Sequence, residues 1–469
     1  MGVLRQFIGT VIISTLGIDM GFIFTWPAST MIQFGSANTT LNRPMTEMEI
    51  SLLNSLSSVG GLISTLTAGF MLDKLGRKYC SIAVSLSLVL IWVMLIVWKQ
   101  VEVVLFCIFL SGVSSSAALI ASVYISEISQ ESIRGTMTAG NMISYGIGGL
   151  MLFSVSGSLS YDTVLYIGLS IAIISTSSLL LIKDSPMYLM TIGKEKEAAE
   201  SIAFYRQLPV MDKEVMYEVN VLKRAINMDQ DGTTPEEEKL KPDTKSKEKL
   251  SFWQFMRKSR SSRRAFYVSI VLQIAAVFQG LIVVQTYIQP LIMKTLPAYS
   301  PEVCSTAMAA VTVVTSFFAA YLTDKAGRRP LMFYGSIGAA VTCLVLGTQI
   351  QFQWGPTWIT LVSLYTFPIM YTFGAGTVPN ILVAELFLPE VKSILSMVIV
   401  EMSWILYSVV LFIFNPILNS LGWGPVFYIF AILCSLSSVF SYFFLPETKG
   451  LTVEEIQPLF NKRKHQNNV

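Results

Sequence analysis

The sequence predicts an all-α membrane protein with twelve transmembrane helices in two six-helix halves, joined by a cytosolic helical linker. Three observations lead there. First, the 469 residues are 53% hydrophobic and only 13% charged, with mean hydropathy +0.59, whereas a soluble domain carries roughly 25% charged residues. Second, twelve stretches approach the roughly 20 apolar residues that a bilayer crossing needs: 7–28, 51–72, 79–98, 102–125, 136–158, 162–182, 265–293, 303–323, 331–351, 357–383, 393–417 and 423–445. Third, a short charged connection recurs between apolar stretches. Asp73-Lys74-Leu75-Gly76-Arg77-Lys78 returns 251 residues later as Asp324-Lys325-Ala326-Gly327-Arg328-Arg329.

The first stretch carries Asp19. It is too long for a signal-peptide core and lacks a small-x-small cleavage site, so it reads as span one. Asn38-Thr39-Thr40 in the connection that follows is an N-glycosylation sequon. Spans two to six follow on short connections. Of the 33 Lys and Arg residues, 30 fall on the side of both termini, leaving Arg43, Lys99 and Lys294 opposite. Basic residues stay inside, which predicts two cytosolic termini. The net charge of +3 hides this sidedness and gives no reason to invoke nucleic acid. A multi-pass protein of the plasma membrane is expected, with the lipid bilayer as its surroundings and a monomer as its state. The five cysteines have no framework spacing, so neither a disulfide nor a metal site is expected, and no cofactor motif is present. The lone histidine, His465, lies in the tail.

Composition shifts after span six. Residues 1–189 form the first half, 190–264 a polar linker, 265–446 the second half and 447–469 a cytosolic tail. Within the linker, Gly193 to Gln207 and Met211 to Met228 have helical patterning. Asp229 to Lys249 is a charged run of low hydrophobicity that predicts flexibility, Leu250 to Phe255 reads as an amphipathic anchor, and Arg257 to Arg264 as a basic juxtamembrane cluster suited to anionic lipid.

The second half repeats the first. Glu127 and Arg134 are echoed by Glu385 and Lys392 with the same spacing of seven, and Asp184 past span six is echoed by Glu447 past span twelve. Such duplication is a transporter plan. Positive-inside topology accounts for Lys and Arg but not for Asp73, Glu127, Asp324 and Glu385 at matched places. These charges, with Arg77 and Arg328, read as ion pairs that form when the cytosolic helix ends meet and break when they part. Gly76 and Gly327 allow the tight turns this needs.

These residues resemble the sugar porter family of the major facilitator superfamily, the facilitative glucose and invertebrate trehalose type. The two Asp-Lys-x-Gly-Arg-basic segments match its D-R/K-x-G-R-R/K motif. Tyr124 to Gly135 resembles P-x-Y-x-x-E…R-G, Asp184-Ser185-Pro186 resembles P-E-S-P-R, and Pro446 to Gly450 is P-E-T-K-G. Gly374, Gly376, Pro379, Glu385 and Pro389 follow the span-ten motif. The resemblance implies the major facilitator fold, alternating access by rocking of the halves, and a sugar or polyol substrate without covalent chemistry.

Polar residues inside spans are costly and therefore mark a pathway. Gln279, Gln285 and Tyr287 in span seven, Asn141 in span five, Asn380 in span ten, and Ser403 with Trp404 in span eleven are the candidate substrate residues. In the resemblance, the family's two span-seven glutamines fall on Ala276 and Val277 and its asparagine on Ile282. The moving parts are therefore better kept than the sugar-coordinating set. Span ten, with mid-span Pro379, reads as a bending gate helix. Asp19 and Glu401 are candidate proton sites. The expectation is facilitated diffusion of a hexose or trehalose, with a proton-coupled symporter and a non-transporting sugar sensor as alternatives.

Overall fold

The computed structural model describes residues 3–231, 259–387, 389–451 and 453–461. Among these described residues, ten helical segments are long and apolar enough to cross a membrane. One of them, Glu47–Val97, has 51 residues. At 1.5 Å per residue it would be about 77 Å long, more than twice a hydrocarbon core of about 30 Å. It is two spans, broken at Gly76, where φ is 80° and ψ 175°. Glu131–Ser156 adds a further 26-residue helix between spans four and six, which brings the count to twelve.

The outward faces invert the soluble pattern. Leu86, Leu90 and Val93 in span three, and Ile432, Leu436 and Val439 in span twelve, are exposed. They make the apolar stripes that lipid requires. Inside the first half, small residues let helices approach closely. Gly21 of span one lies against the backbone of Tyr145 and Gly149, and Gly60 of span two against that of Phe109 and Gly112.

Two spans of the second half are discontinuous. Span seven runs Arg260–Phe278, breaks at Gly280 (φ 91°), and resumes as Leu281–Thr286 and Ile288–Thr295. Span ten runs Thr357–Tyr371, passes through a π-turn at Thr372–Gly376, and resumes at Val378–Glu385 with Pro379 in its first turn. The interruption expected in span ten is there. The break in span seven was not anticipated.

The linker contributes Pro186–Thr191, Glu195–Arg206 and Lys213–Asp231. The second docks under the first half: Arg206 donates to Glu218 at 2.8 Å and to the Ile128 carbonyl at 2.9 Å, and the Tyr205 hydroxyl donates to the Lys183 carbonyl at 2.6 Å. The anchor at 250–255 and nearly all of the charged run at 229–249 lie outside the described residues. Of the basic cluster, Arg260, Arg263 and Arg264 are described, and Arg264 donates to the Phe460 carbonyl at 2.6 Å.

With an even number of spans, both chain ends lie on one side, called here the basic face. The halves meet toward the opposite face. There Glu47 accepts from Asn419 at 3.0 Å and Gly157 abuts Glu302, and deeper in, toward mid-membrane, Gly146 abuts Val313. Near mid-membrane, the Trp404 indole packs on Gly61 and donates to Thr65 at 3.1 Å. Toward the basic face, Gly69, Gly135 and Gly140 on the same interface helices have nothing near them, and Phe70 is exposed. The halves splay open on that side.

Candidate functional site

The two repeated motifs build two matching clusters at the basic ends of the halves. In the first, the Arg77 guanidinium grips Glu127 with two parallel hydrogen bonds at 2.8 and 2.7 Å, and its third arm reaches the Leu72 carbonyl at 3.3 Å. Ser185 also donates to Glu127. The Asp184 carboxylate caps the start of span three by accepting from the Lys78 amide at 3.0 Å. An anion at a helix N-terminus is favoured by the free amides and the helix dipole. Burial pushes the Asp184 carboxyl up from the ordinary aspartate range, while the backbone amides of Lys78, Ser185 and Arg77 pull it down.

The second cluster repeats the first, group for group. Arg328 pairs with Glu385 at 3.3 and 2.7 Å and reaches the Thr323 carbonyl at 3.0 Å. Thr448 donates to Glu385 at 3.0 Å. Glu447 accepts from the amides of Arg328 and Arg329 at 2.9 and 3.1 Å, capping span nine. Ser185 and Thr448 were missed in the sequence, although each directly follows a marker acid, Asp184 or Glu447. Both arrangements rest on a glycine. Gly76 (φ 80°, ψ 175°) and Gly327 (φ 93°, ψ 163°) occupy a backbone region almost closed to other residues. A Cβ on Gly327 would meet the Glu447 carboxylate, and one on Gly76 would meet Tyr188 and Asp184.

This geometry corrects one expectation. Arg77–Glu127 and Arg328–Glu385 each lie within one half, and both are formed while the halves stand apart on the basic face. They join spans two to four and spans eight to ten through the arginine at the hinge, so they brace a half and do not bridge the two. Asp73 and Arg134 are exposed on that face, with no ion pair among the described residues. The side chains of Asp324 and Lys392 lie outside the described residues.

Between the halves lies a cavity of about 430 Å³. Thr25, Asn54, Ser57, Ser58 and Tyr145 line it from the first half, and Gln285, Thr286, Ser305, Trp404 and Tyr407 from the second. Apolar surface comes from Phe24, Phe153, Ile282, Met308 and Leu411. Among the described residues no charged side chain lines it. Of the seven substrate candidates, Gln285 and Trp404 reach the cavity. Tyr287 is buried at its edge, its hydroxyl close to the Asn54 amide.

The other four are placed elsewhere. Gln279 is fully buried beside the span-seven break, with both amide atoms unpartnered. Asn141 joins spans five and four, donating to the Ala118 carbonyl at 3.3 Å and to Ser122 at 3.1 Å. Asn380 is exposed and donates to the Gly376 carbonyl at 3.2 Å. Ser403 donates to the Ile399 carbonyl of its own helix at 2.9 Å. Asn54, Ser57, Ser58 and Tyr145 were not singled out in the sequence. Asn54 carried a readable signal, an amide inside an apolar span.

The candidate proton sites also separate. Asp19 is fully buried inside the first half and accepts from the Trp92 indole at 3.1 Å, with its second oxygen unpartnered. Glu401 lies one turn from Trp404 toward the basic face, with one oxygen buried and unpartnered. Asn38 is exposed in the connection after span one. Among the described residues no cluster of three or more His, Cys, Asp or Glu is placed to hold a metal.

Comparisons with known proteins agree with this architecture. The family described as "Sugar (and other) transporter" matches residues 8–460. The chain is 26% identical to the sugar transporter ERD6-like 18 of Arabidopsis thaliana, over 87% of this chain and 82% of that one. It is 23% identical to the facilitated trehalose transporter Tret1 of Polypedilum vanderplanki, over 96% and 88%. It is 28% identical to the solute carrier family 2 facilitated glucose transporter member 2 of Gallus gallus, over 92% and 79%. Among solved structures, the inward open xylose transporter XylE of E. coli superposes with a TM-score of 0.75 at 19% identity, covering 97% of this chain and 99% of that one. Together with the twelve spans, the duplicated clusters and the uncharged cavity, this match over nearly the whole length shows that the chain is a multi-pass membrane protein of the sugar (and other) transporter family.

Proposed function

We propose that this protein carries a neutral sugar, a hexose or trehalose, down its gradient by alternating access. The observation behind this reading is the cavity. It lies between the halves, is closed toward one face, and offers hydroxyl, amide and indole groups with no charged residue in its described lining. Hydroxyls and amides supply donors and acceptors for sugar hydroxyls, and Trp404 supplies an aromatic face for the C–H side of a ring. A volume of about 430 Å³ falls in the lower range of small-molecule sites. The relatives named for glucose and trehalose transport support the same substrate class.

On this reading the basic face is cytosolic, the protein resides in the plasma membrane, and one copy suffices, because a single chain builds the whole cavity. Asp73, Arg134, Asp324 and Lys392 stand at the basic ends that come together when the opposite face opens. Asn38, exposed on the opposite face, is the proposed glycan site. A second reading, proton-coupled symport, rests on the unpartnered carboxylate oxygens of Asp19 and Glu401.

Uptake of radiolabelled D-glucose and trehalose into proteoliposomes, with and without a pH gradient, tests the proposal. Saturable uptake of at least one sugar, equilibrating without accumulation and indifferent to the gradient, is the expected result. Accumulation driven by inward proton flow would transfer the assignment to the symport reading. No flux of either sugar, nor of any polyol tried in competition, would sink the carrier assignment.

A further inference from the structure

Asn54 is at odds with the usual behaviour of a buried amide. It is 4% exposed, lines the central cavity from span two, and leaves both its amide nitrogen and its amide oxygen without a hydrogen-bond partner. Buried asparagines in membrane helices ordinarily bond a neighbouring helix, as Asn141 does with Ala118 and Ser122. An amide buried short of a completed hydrogen bond carries a desolvation cost that is not recovered. Across the interface from it stands the Tyr287 hydroxyl, close to the Asn54 side chain and itself without a completed hydrogen bond. Tyr287 is the residue between the two short outer segments of span seven, Leu281–Thr286 and Ile288–Thr295. One half thus presents an unsatisfied donor and acceptor, and the other presents an unsatisfied hydroxyl at a break in its helix.

We propose that Asn54 is a specificity-determining residue. Its amide and the Tyr287 hydroxyl together take one hydroxyl of the solute, bridging the halves where span seven is broken. The inference rests on the sugar-carrier reading and deepens it. A sugar hydroxyl both donates and accepts, so it satisfies the amide and the phenol at once, which an apolar group of the same size does not. Sites built to bond a hydroxyl reject the analogue that lacks it, because their own polar groups are then left bare. Asn54 thereby reads the presence of one particular hydroxyl. Bridging to Tyr287 makes the closed opposite face more stable when the cavity is filled than when it is empty. Gln285 and Trp404 line the same cavity and hold the rest of the ring.

The test is competition by a series of monodeoxyglucoses against uptake of whichever sugar the wild-type protein moves in proteoliposomes. At least one analogue is expected to compete about 10-fold worse than D-glucose in wild type, the loss that corresponds to one hydrogen bond. In Asn54→Leu that difference should fall to about 1-fold, while the ranking of the other analogues is kept. Tyr287→Phe should erase the same analogue's penalty and no other. If Asn54→Leu is not recovered as a monodisperse protein, Asn54→Val carries the same expectation. Retention of the wild-type analogue ranking in the Asn54 variants would overturn the proposal. So would a wild-type protein that transports sugar but treats every monodeoxy analogue as it treats D-glucose. A wild-type protein that moves no sugar fails earlier and visibly, at the carrier reading.

Discussion

Gly76→Ala and Gly327→Ala are expected to be the most damaging small substitutions in the chain. Each forces an L side chain into a backbone region open almost only to glycine, at about 1–3 kcal/mol of strain. The new Cβ also collides with the capping group, Asp184 and Tyr188 in the first half or Glu447 in the second. The carboxylate must then move off the amides it caps, which adds the loss of a charged helix cap, about 1 kcal/mol. Thermal unfolding of the purified protein should start well below wild type for either variant. Uptake per folded molecule should drop about 10-fold, since the hinge no longer seats the adjoining arginine on its glutamate. Wild-type unfolding and uptake in both variants would show that the hinge geometry is not required.

Arg328→Ala is expected to follow closely. The Arg328–Glu385 side chains are 10% and 28% exposed. Removing the arginine leaves Glu385 with Thr448 as its remaining hydrogen-bond partner among the described residues and releases the Thr323 carbonyl. Breaking a buried pair from one side costs about 3–5 kcal/mol, and the partial exposure of Glu385 places this case at the lower end. Arg328→Lys keeps the charge but loses the planar two-bond grip, so it should rescue only part of the loss. The double variant Arg328→Met with Glu385→Met should be more stable than Arg328→Ala, because no charge is left stranded. The cluster does not line the cavity, so turnover should fall while the KM for sugar changes little. Equal losses in both would place the pair at the substrate, contrary to the geometry. Arg77 and Glu127, both 15% exposed, carry the same expectation in the first half.

What could be read from the sequence, and what could not, follows from how local each signal is. Span length is a property of consecutive residues, so hydropathy alone located the spans, and the joined helix Glu47–Val97 differs from two predicted spans only by the turn at Gly76. The markers Asp73, Glu127, Asp184 and their repeats were legible because duplication prints them twice. Whether Arg77 would meet Glu127 or a residue of the other half was not legible, since several pairings satisfy the same charges. The cavity lining was the least legible part. Which face of a span meets the cavity depends on the helix's rotation against its neighbours. Asn141, Ser403 and Asn380 therefore spend their bonds on spans four, eleven and ten, while Asn54 and Tyr145 face the solute space. Serine and threonine blur the signal further, because a hydroxyl in a helix bonds its own carbonyls, as Thr312 does with Met308 at 2.9 Å.

Alternating access in this fold requires two internally braced halves to rock against one another about the cavity. Distances between paired spin labels in the reconstituted protein, with and without saturating sugar, test it most directly. One pair spans the halves on the basic face, at Phe70→Cys and Ile394→Cys. A second spans them on the opposite face, at Leu159→Cys and Val303→Cys. A third lies within the first half, at Leu75→Cys and Leu181→Cys. All six positions are exposed. A population is expected in which the first distance shortens as the second lengthens, with the third unchanged. A third distance that shifts with the others, or a first and second that never move in opposite senses, would contradict it.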